Sequence, residues 1–230
     1  MKAKLTIAFD GRAYEGWRSQ RSDKGVRHVI EHAWRATLGN DPQLVSSSRT
    51  DSGVHARGLV AHAHWDIATI AAEQIPAIVN AQLPSDIRIM SATSVTESFD
   101  ARFDCISKEY RYTIWNHPVM NPLLENRAWH TKKPLDLAIM QQLATHFEGR
   151  HDFRSFTVKR EGELTNTFRH LQHVSLIAKE HEIEIRIHGD GFLYKMVRLL
   201  TGGAVHAAQG RIRLDDFAAL LDQPPGLPLG

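Results

Sequence analysis

The chain has 230 residues and a single cysteine, Cys105. An internal disulfide is therefore impossible, a cysteine-rich metal site is excluded, and a reducing, cytoplasmic setting is expected. Long apolar runs are missing too. After Met1-Lys2-Ala3-Lys4, the stretch Leu5-Thr6-Ile7-Ala8-Phe9 is too short for the apolar region of a secretory signal. Nothing approaches membrane-spanning length. There is no Walker loop, no strand–GxGxxG–helix unit, no flavin signature and no low-complexity segment, so a nucleotide cofactor is not expected. Neither sign of charge dominates. With 28 Lys and Arg against 26 Asp and Glu, the formal charge is +2, a weak bulk argument for nucleic acid.

What is present is an ordinary globular composition, 42% apolar and 23% charged, enough for one domain or two small ones. Cations are concentrated early, at Arg12, Arg18, Arg21, Lys24, Arg27, Arg35, Arg49 and Arg57. Such a run is either a solvated basic surface or a face that tracks phosphates.

Periodicity predicts a strand over 3–9, closed by Asp10-Gly11, and a helix from Val26 to Leu38, stopped by Gly39-Asn40. Strands are expected over 43–47, around 61–65, and over 87–95 and 106–116. Pro76 should open a helix that ends before Pro84-Ser85-Asp86. A Pro-bearing loop covers 117–134, and a helix from Leu137 to Phe147 has Asp136 as N-cap and Gly149 as terminator. A hairpin is expected from 174–178 and 183–187, then helices around 192–203 and 214–221. The class implied is α+β, with two similar halves of mainly antiparallel mixed sheet flanked by helices. The halves are 1–105 and 106–230.

The most informative segment is Ser48-Arg49-Thr50-Asp51-Ser52-Gly53-Val54-His55-Ala56-Arg57-Gly58. It is too polar for a core and too specific for a linker. Its one carboxylate, Asp51, lies two residues from Arg49, a setting that suits a charged nucleophile or general base. Trp17, in Tyr14-Glu15-Gly16-Trp17-Arg18-Ser19-Gln20, either stacks on a base or caps the core. Tyr110 and Tyr112 share one strand face, which Lys108 joins if the strand reaches it. That alternation serves nucleic-acid stacking or plain cross-strand packing equally. His151, Asp152 and Ser155 are close in sequence, which is no argument for a catalytic triad. Arg198 lies among Met196, Leu199 and Leu200, so partial burial and a carboxylate partner are expected. Metal binding by His62, His64 and Asp66, or by His28 and His32, lacks a strong zinc spacing, and no metal is expected.

Taken in order, these segments resemble the tRNA pseudouridine synthase A family over nearly the whole chain. The resemblance is carried by Phe9-Asp10-Gly11 with Tyr14, Gly16, Trp17 and Gln20; by Arg49-Thr50-Asp51-Ser52-Gly53-Val54-His55-Ala56; and by Leu83-Pro84-Ser85-Asp86-Ile87. Phe99 to Phe103, Tyr110-Arg111-Tyr112, His151-Asp152-Phe153 and Phe192 to Arg198 follow in family order. It implies the pseudouridine synthase fold with a basic cleft between the halves, and isomerisation of uridine to pseudouridine at positions 38, 39 and 40 of the tRNA anticodon stem-loop. It also implies a homodimer, no cofactor and no membrane. By residue, Asp51 matches the catalytic aspartate, Tyr110 the active-site tyrosine, Arg198 the arginine that pairs with the aspartate, and Arg49 the arginine that helps hold the base out of the stack. A relative that binds RNA in the same cleft without turnover is the alternative. Ser48 and Arg18 depart from the glycine and glutamine common in the family. Members usually continue into a final Gly-Leu-x-Leu strand. Here Pro225-Gly226-Leu227-Pro228-Leu229-Gly230 stands in its place, so that strand is expected to be absent or cut short.

Overall fold

A computed structural model describes residues 1–19, 22–158 and 166–222. Two compact units divide at Cys105 and Ile106.

The first unit is a four-stranded antiparallel sheet with helices on one face. Its elements are β1 (Lys2–Phe9), α1 (Val26–Leu38), β2 (Val45–Ser46), β3 (Ala56–His64), α2 (Ile75–Asn80) and β4 (Ile87–Val95), with strand order β2-β3-β1-β4. β1 shows why it forms. Ala3, Leu5, Ile7 and Phe9 alternate onto a buried face, where they meet Val26, Ile30, Ala33, Trp34 and Leu38 of α1. That spacing gives α1 one apolar stripe against the sheet. Gly39 ends the helix, its N–H donating to Arg35 O at 3.1 Å.

The opposite face of β1 carries Lys2, Lys4 and Thr6, paired with His64, His62 and Val60 of β3. Residues 96–104 fold over part of this face. Lys2 Nζ donates to Glu97 O at 2.9 Å, and the N–H of Ala101 donates to His62 Nδ1 at 3.0 Å.

The second unit contains β5 (Lys108–Asn116), β6 (Trp129–Thr131), α3 (Leu137–Phe147), β7 (Gly149–Asp152), β8 (Phe168–Lys179), β9 (Glu182–Gly189), α4 (Met196–Ala208) and α5 (Leu214–Asp222). Its five-stranded sheet runs β6-β5-β9-β8-β7, with β5 and β6 parallel and the other pairs antiparallel. Ile114, Leu171, Val174, Ile183, Ile185 and Ile187 bury against α3, α4 and α5. Asp136 caps α3 by accepting from the N–H groups of Ala138 and Ile139.

Several boundaries differ from the sequence reading. β3 begins at Ala56, so Arg57 and Gly58 belong to a strand. The 117–134 loop contains β6, which exists because Ile114, Trp115 and Asn116 offer it a ladder. Short strands of this kind are specified by their partner and not by their own pattern. His151 and Asp152 lie in β7, which begins at Gly149, the glycine of φ 102° that follows the α3 C-cap Glu148. α4 starts at Met196 and not at Phe192, because Lys195 holds a φ of 60° that breaks the helical backbone. The halves share a plan of one sheet under helices, without a strand-for-strand repeat. Gln20, Arg21 and the 225–230 segment lie outside the described residues.

Candidate active site

The Asp51 segment joins β2 to β3 and is gripped from behind by residues 10–17. Thr50 O accepts the N–H of Trp17 at 3.1 Å, ahead of Asp51. After Asp51, Tyr14 O accepts the N–H of Gly53 at 3.3 Å and the hydroxyl of Ser52 at 3.3 Å. The loop also closes on itself, Val54 N–H donating to Asp51 O at 3.2 Å. Two glycines permit the close approach. A Cβ on Gly11 would lie 2.0 Å from Val54 O, and one on Gly16 would lie 2.4 Å from Thr50 O. Gly16 also has a φ of 87°, a left-handed backbone that side chains disfavour.

The grip is itself anchored. The Tyr14 hydroxyl donates to Asp86 Oδ1 at 2.7 Å, and Asp10 N–H donates to Asp86 O at 2.9 Å. Burial first, then the bond to Asp86, pushes the Tyr14 phenol well above its ordinary pKa, so it stays a donor. His55 Nδ1 lies 3.2 Å from both Gly11 N and Asp10 Oδ1. Hydrogen bonds from Arg12 hold the Asp10 carboxyl down at about 2.

Asp51 is half-buried and Arg49 exposed. Trp17 is 2% exposed and packs with Phe9 at a ring distance of 6.2 Å. It belongs to the core, so base stacking by Trp17 is ruled out. Of the early cations, Arg12 pairs with Asp10 at 2.7 Å and Arg27 with Glu31 at 2.6 Å. Arg18, Lys24, Arg49 and Arg57 stay exposed and can meet phosphate.

In the second unit, β5 alternation places Tyr110 and Tyr112 on the face shared with Ile114. The Tyr110 ring meets Phe192 edge-on, centroids 4.8 Å apart and planes at 76°. Tyr112 meets Trp129 at 6.4 Å. On the other face Arg111 bonds Glu109 at 2.7 Å, and that bond holds the Glu109 carboxyl below its usual range. Phe192 leads into the strained turn at Lys195 and then into α4.

Arg198 corrects the sequence reading. It is exposed, while Met196 and Leu200 are fully buried. Two residues of helix turn the side chain by roughly 200°, so a position between buried neighbours points outward.

The remaining candidates do not assemble. His62 is 4% exposed and uses Nδ1 as acceptor for Ala101, which makes it an anchor for residues 96–104 and removes it as a ligand. Burial lowers its pKa. Among the described residues no three His, Cys, Asp or Glu side chains could hold a metal ion together. Asp152 accepts from the Thr167 hydroxyl and from Arg154 Nε, the latter at 2.7 Å, while His151 Nε2 lies 2.7 Å from Glu148 O. Ser155 is fully buried. These contacts tie strand ends together and form no triad.

The Tyr14–Asp86 pair and the His55–Asp10 contact escaped the sequence reading. The sequence places Asp86 in a helix-breaking turn and in the family segment Leu83-Pro84-Ser85-Asp86-Ile87, neither of which names its partner. The available signal was Asp10-Gly11 and Gly16 lying close to polar side chains in a loop.

Comparison with known proteins defines the class. The sequence pattern of the tRNA pseudouridine synthase family matches residues 5–104 and 143–225, most of the chain. The chain belongs to this family, isomerases that convert uridine to pseudouridine in tRNA. Among individual proteins it is similar to tRNA pseudouridine synthase A of Akkermansia muciniphila, 40% identical over 229 residues, covering 97% of this chain and 86% of the relative. The protein of that name from Pelobacter propionicus is 41% identical over 224 residues, covering 96% and 90%. That from Ruminiclostridium cellulolyticum is 37% identical over 221 residues, covering 96% and 89%.

Proposed function

We propose that this chain isomerises uridines at positions 38, 39 and 40 of the tRNA anticodon stem-loop, with Asp51 as the catalytic nucleophile or base. The reaction breaks the N1–C1′ bond of uridine and forms a C5–C1′ bond. C5 loses a proton and N1 carries one in the product. Nothing is oxidised and no group is imported, so the chemistry calls for no redox or carrier cofactor. A carboxylate can serve it by attacking the sugar or the base, or by taking a proton at the sugar.

The observation that carries this reading is the loop backbone. Residues on both sides of Asp51 are bonded to 14–17, so Asp51 is held in a fixed frame, as a group that must meet its target at near-attack distance needs. Tyr110 is assigned to cover the uracil and Arg198 to pair with Asp51. Arg49 is assigned to brace the stem when the base leaves the stack, a step that costs a few kcal/mol. The protein would act in the cytoplasm as a homodimer. Among the described residues no helix is long and apolar enough to cross a membrane.

The test is pseudouridine mapping in tRNA from cells carrying or lacking this chain, alongside purified Asp51→Asn. The expected result is loss of pseudouridine at 38–40 without the chain, and a variant that binds tRNA without turning it over. Unchanged anticodon stem-loops would point to the RNA-binding alternative.

A further inference from the structure

We infer that Tyr14 is a positioning residue for the reaction, acting through its hydrogen bond to Asp86 to fix the loop that carries Asp51. The inference rests on the reading of Asp51 as the catalytic group.

Tyr14 is bonded at both ends. Its main-chain carbonyl accepts from Gly53 and Ser52, immediately beyond Asp51, through two bonds of 3.3 Å. Each is long for its kind, so alone they define the loop loosely. Its hydroxyl donates to Asp86 Oδ1 at 2.7 Å, a short, charge-assisted bond. Asp86 in turn belongs to the end of the sheet. It precedes β4 by one residue, and its carbonyl accepts Asp10 N–H at the end of β1. A path of hydrogen bonds therefore runs from the β1–β4 sheet end, through Asp86 and the Tyr14 ring, to the turn after Asp51.

The other side of the loop is held differently. There Trp17 N–H meets Thr50 O, and Gly16 approaches the carbonyls of Thr50 and Asp51 so closely that a β-carbon would clash with them. That grip derives its rigidity from core packing of Trp17, which is almost fully buried. Tyr14 is only half-buried, so its side depends more on the hydroxyl. Removing the hydroxyl should leave the fold intact and loosen the loop after Asp51. Loose placement of a reacting group lowers the chemical rate and leaves tRNA contacts elsewhere unchanged.

The experiment measures single-turnover rate and tRNA dissociation constant for Tyr14→Phe, Asp86→Ala, the double variant and Asp86→Asn, with Asp51→Asn as reference. Tyr14→Phe and Asp86→Ala should each slow the single turnover by about 10- to 100-fold with affinity within about 3-fold. The double variant should be no slower than the slower single one, since both remove one bond. Asp86→Asn, which keeps an acceptor oxygen, should retain most of the rate, a rescue that a merely structural role would not show. If Tyr14→Phe does not fold, the Asp86 pair carries the same comparison. Wild-type rates in Tyr14→Phe or Asp86→Ala, losses that multiply in the double variant, or weakened affinity at unchanged rate would each overturn the inference. A normal rate in Asp51→Asn would instead overturn the reading beneath it.

Discussion

Gly16 lies so close to Thr50 that a β-carbon there would sit 2.4 Å from the Thr50 carbonyl oxygen. Backbone cannot yield as a flexible side chain can. Gly16→Ala combines that clash with a φ of 87°, so it should destabilise the first unit by about 1–3 kcal/mol and cut turnover at least ~10-fold. Gly53 is the control. Its φ is 76°, but nothing lies within 4 Å of the added carbon, and Gly53→Ala should cost only about 1 kcal/mol. Thermal unfolding of both variants checks the order; equal losses would show that the close approach does not matter.

His62 predicts a pH dependence. Its pKa is lowered in the folded chain by burial, with Lys2 adding to the effect. The neutral ring is the form that accepts Ala101 N–H. A base with a depressed folded pKa contributes stability above its unfolded value, near 6.5, and loses it as pH falls below that. Unfolding midpoints should therefore drop between about pH 7 and pH 5. In His62→Asn, whose side chain keeps an acceptor and does not titrate there, that part of the slope should vanish. Parallel profiles would refute the assignment.

Phe192 supports Tyr110 edge-on at 4.8 Å. Phe192→Ala should leave the Tyr110 ring without that wall and weaken catalysis severalfold, while Phe192→Leu should recover part of the loss. An aromatic pair of this geometry is worth about 0.5–1.5 kcal/mol beyond its buried area. If Tyr110 covers the uracil, Tyr110→Phe should keep more activity than Tyr110→Ala in single-turnover assays.

The two arginines should separate by substrate. Arg49 is assigned to the vacated stem and Arg198 to Asp51. Mismatching the base opposite the target uridine lowers the cost of flipping. A mismatched stem-loop should therefore restore the rate of Arg49→Ala and leave Arg198→Ala slow. Equal rescue of both would show that the division is wrong.

Much of the fold is legible because single elements obey local rules. The alternation of β1, the stripe of α1 with Gly39 after it, and Asp136 ahead of α3 each fix an element without reference to the rest. β6 and β7 were not legible, being three and four residues long and dependent on β5 and β8 for their ladders. The chemical candidates Asp51, Arg49 and Tyr110 stand out by residue type and family pattern. Asp86 lies in the family pattern too, but its role is not legible, because nothing in Leu83-Pro84-Ser85-Asp86 says which distant hydroxyl will reach it.

The class of elements, the family and the polar loop around Asp51 follow from patterns within a few residues and can be read from the chain alone. Tertiary structure decided what each polar residue does. It assigned Trp17 to core packing and His62 to anchoring residues 96–104, and it brought the Tyr14 hydroxyl to Asp86. Such contacts join residues far apart in sequence, 39 positions for His62 and Ala101 and 72 for Tyr14 and Asp86, which meet at 2.7 Å. A hydrogen bond is short-ranged and directional, so its partner is chosen by the folded chain and not by proximity in sequence.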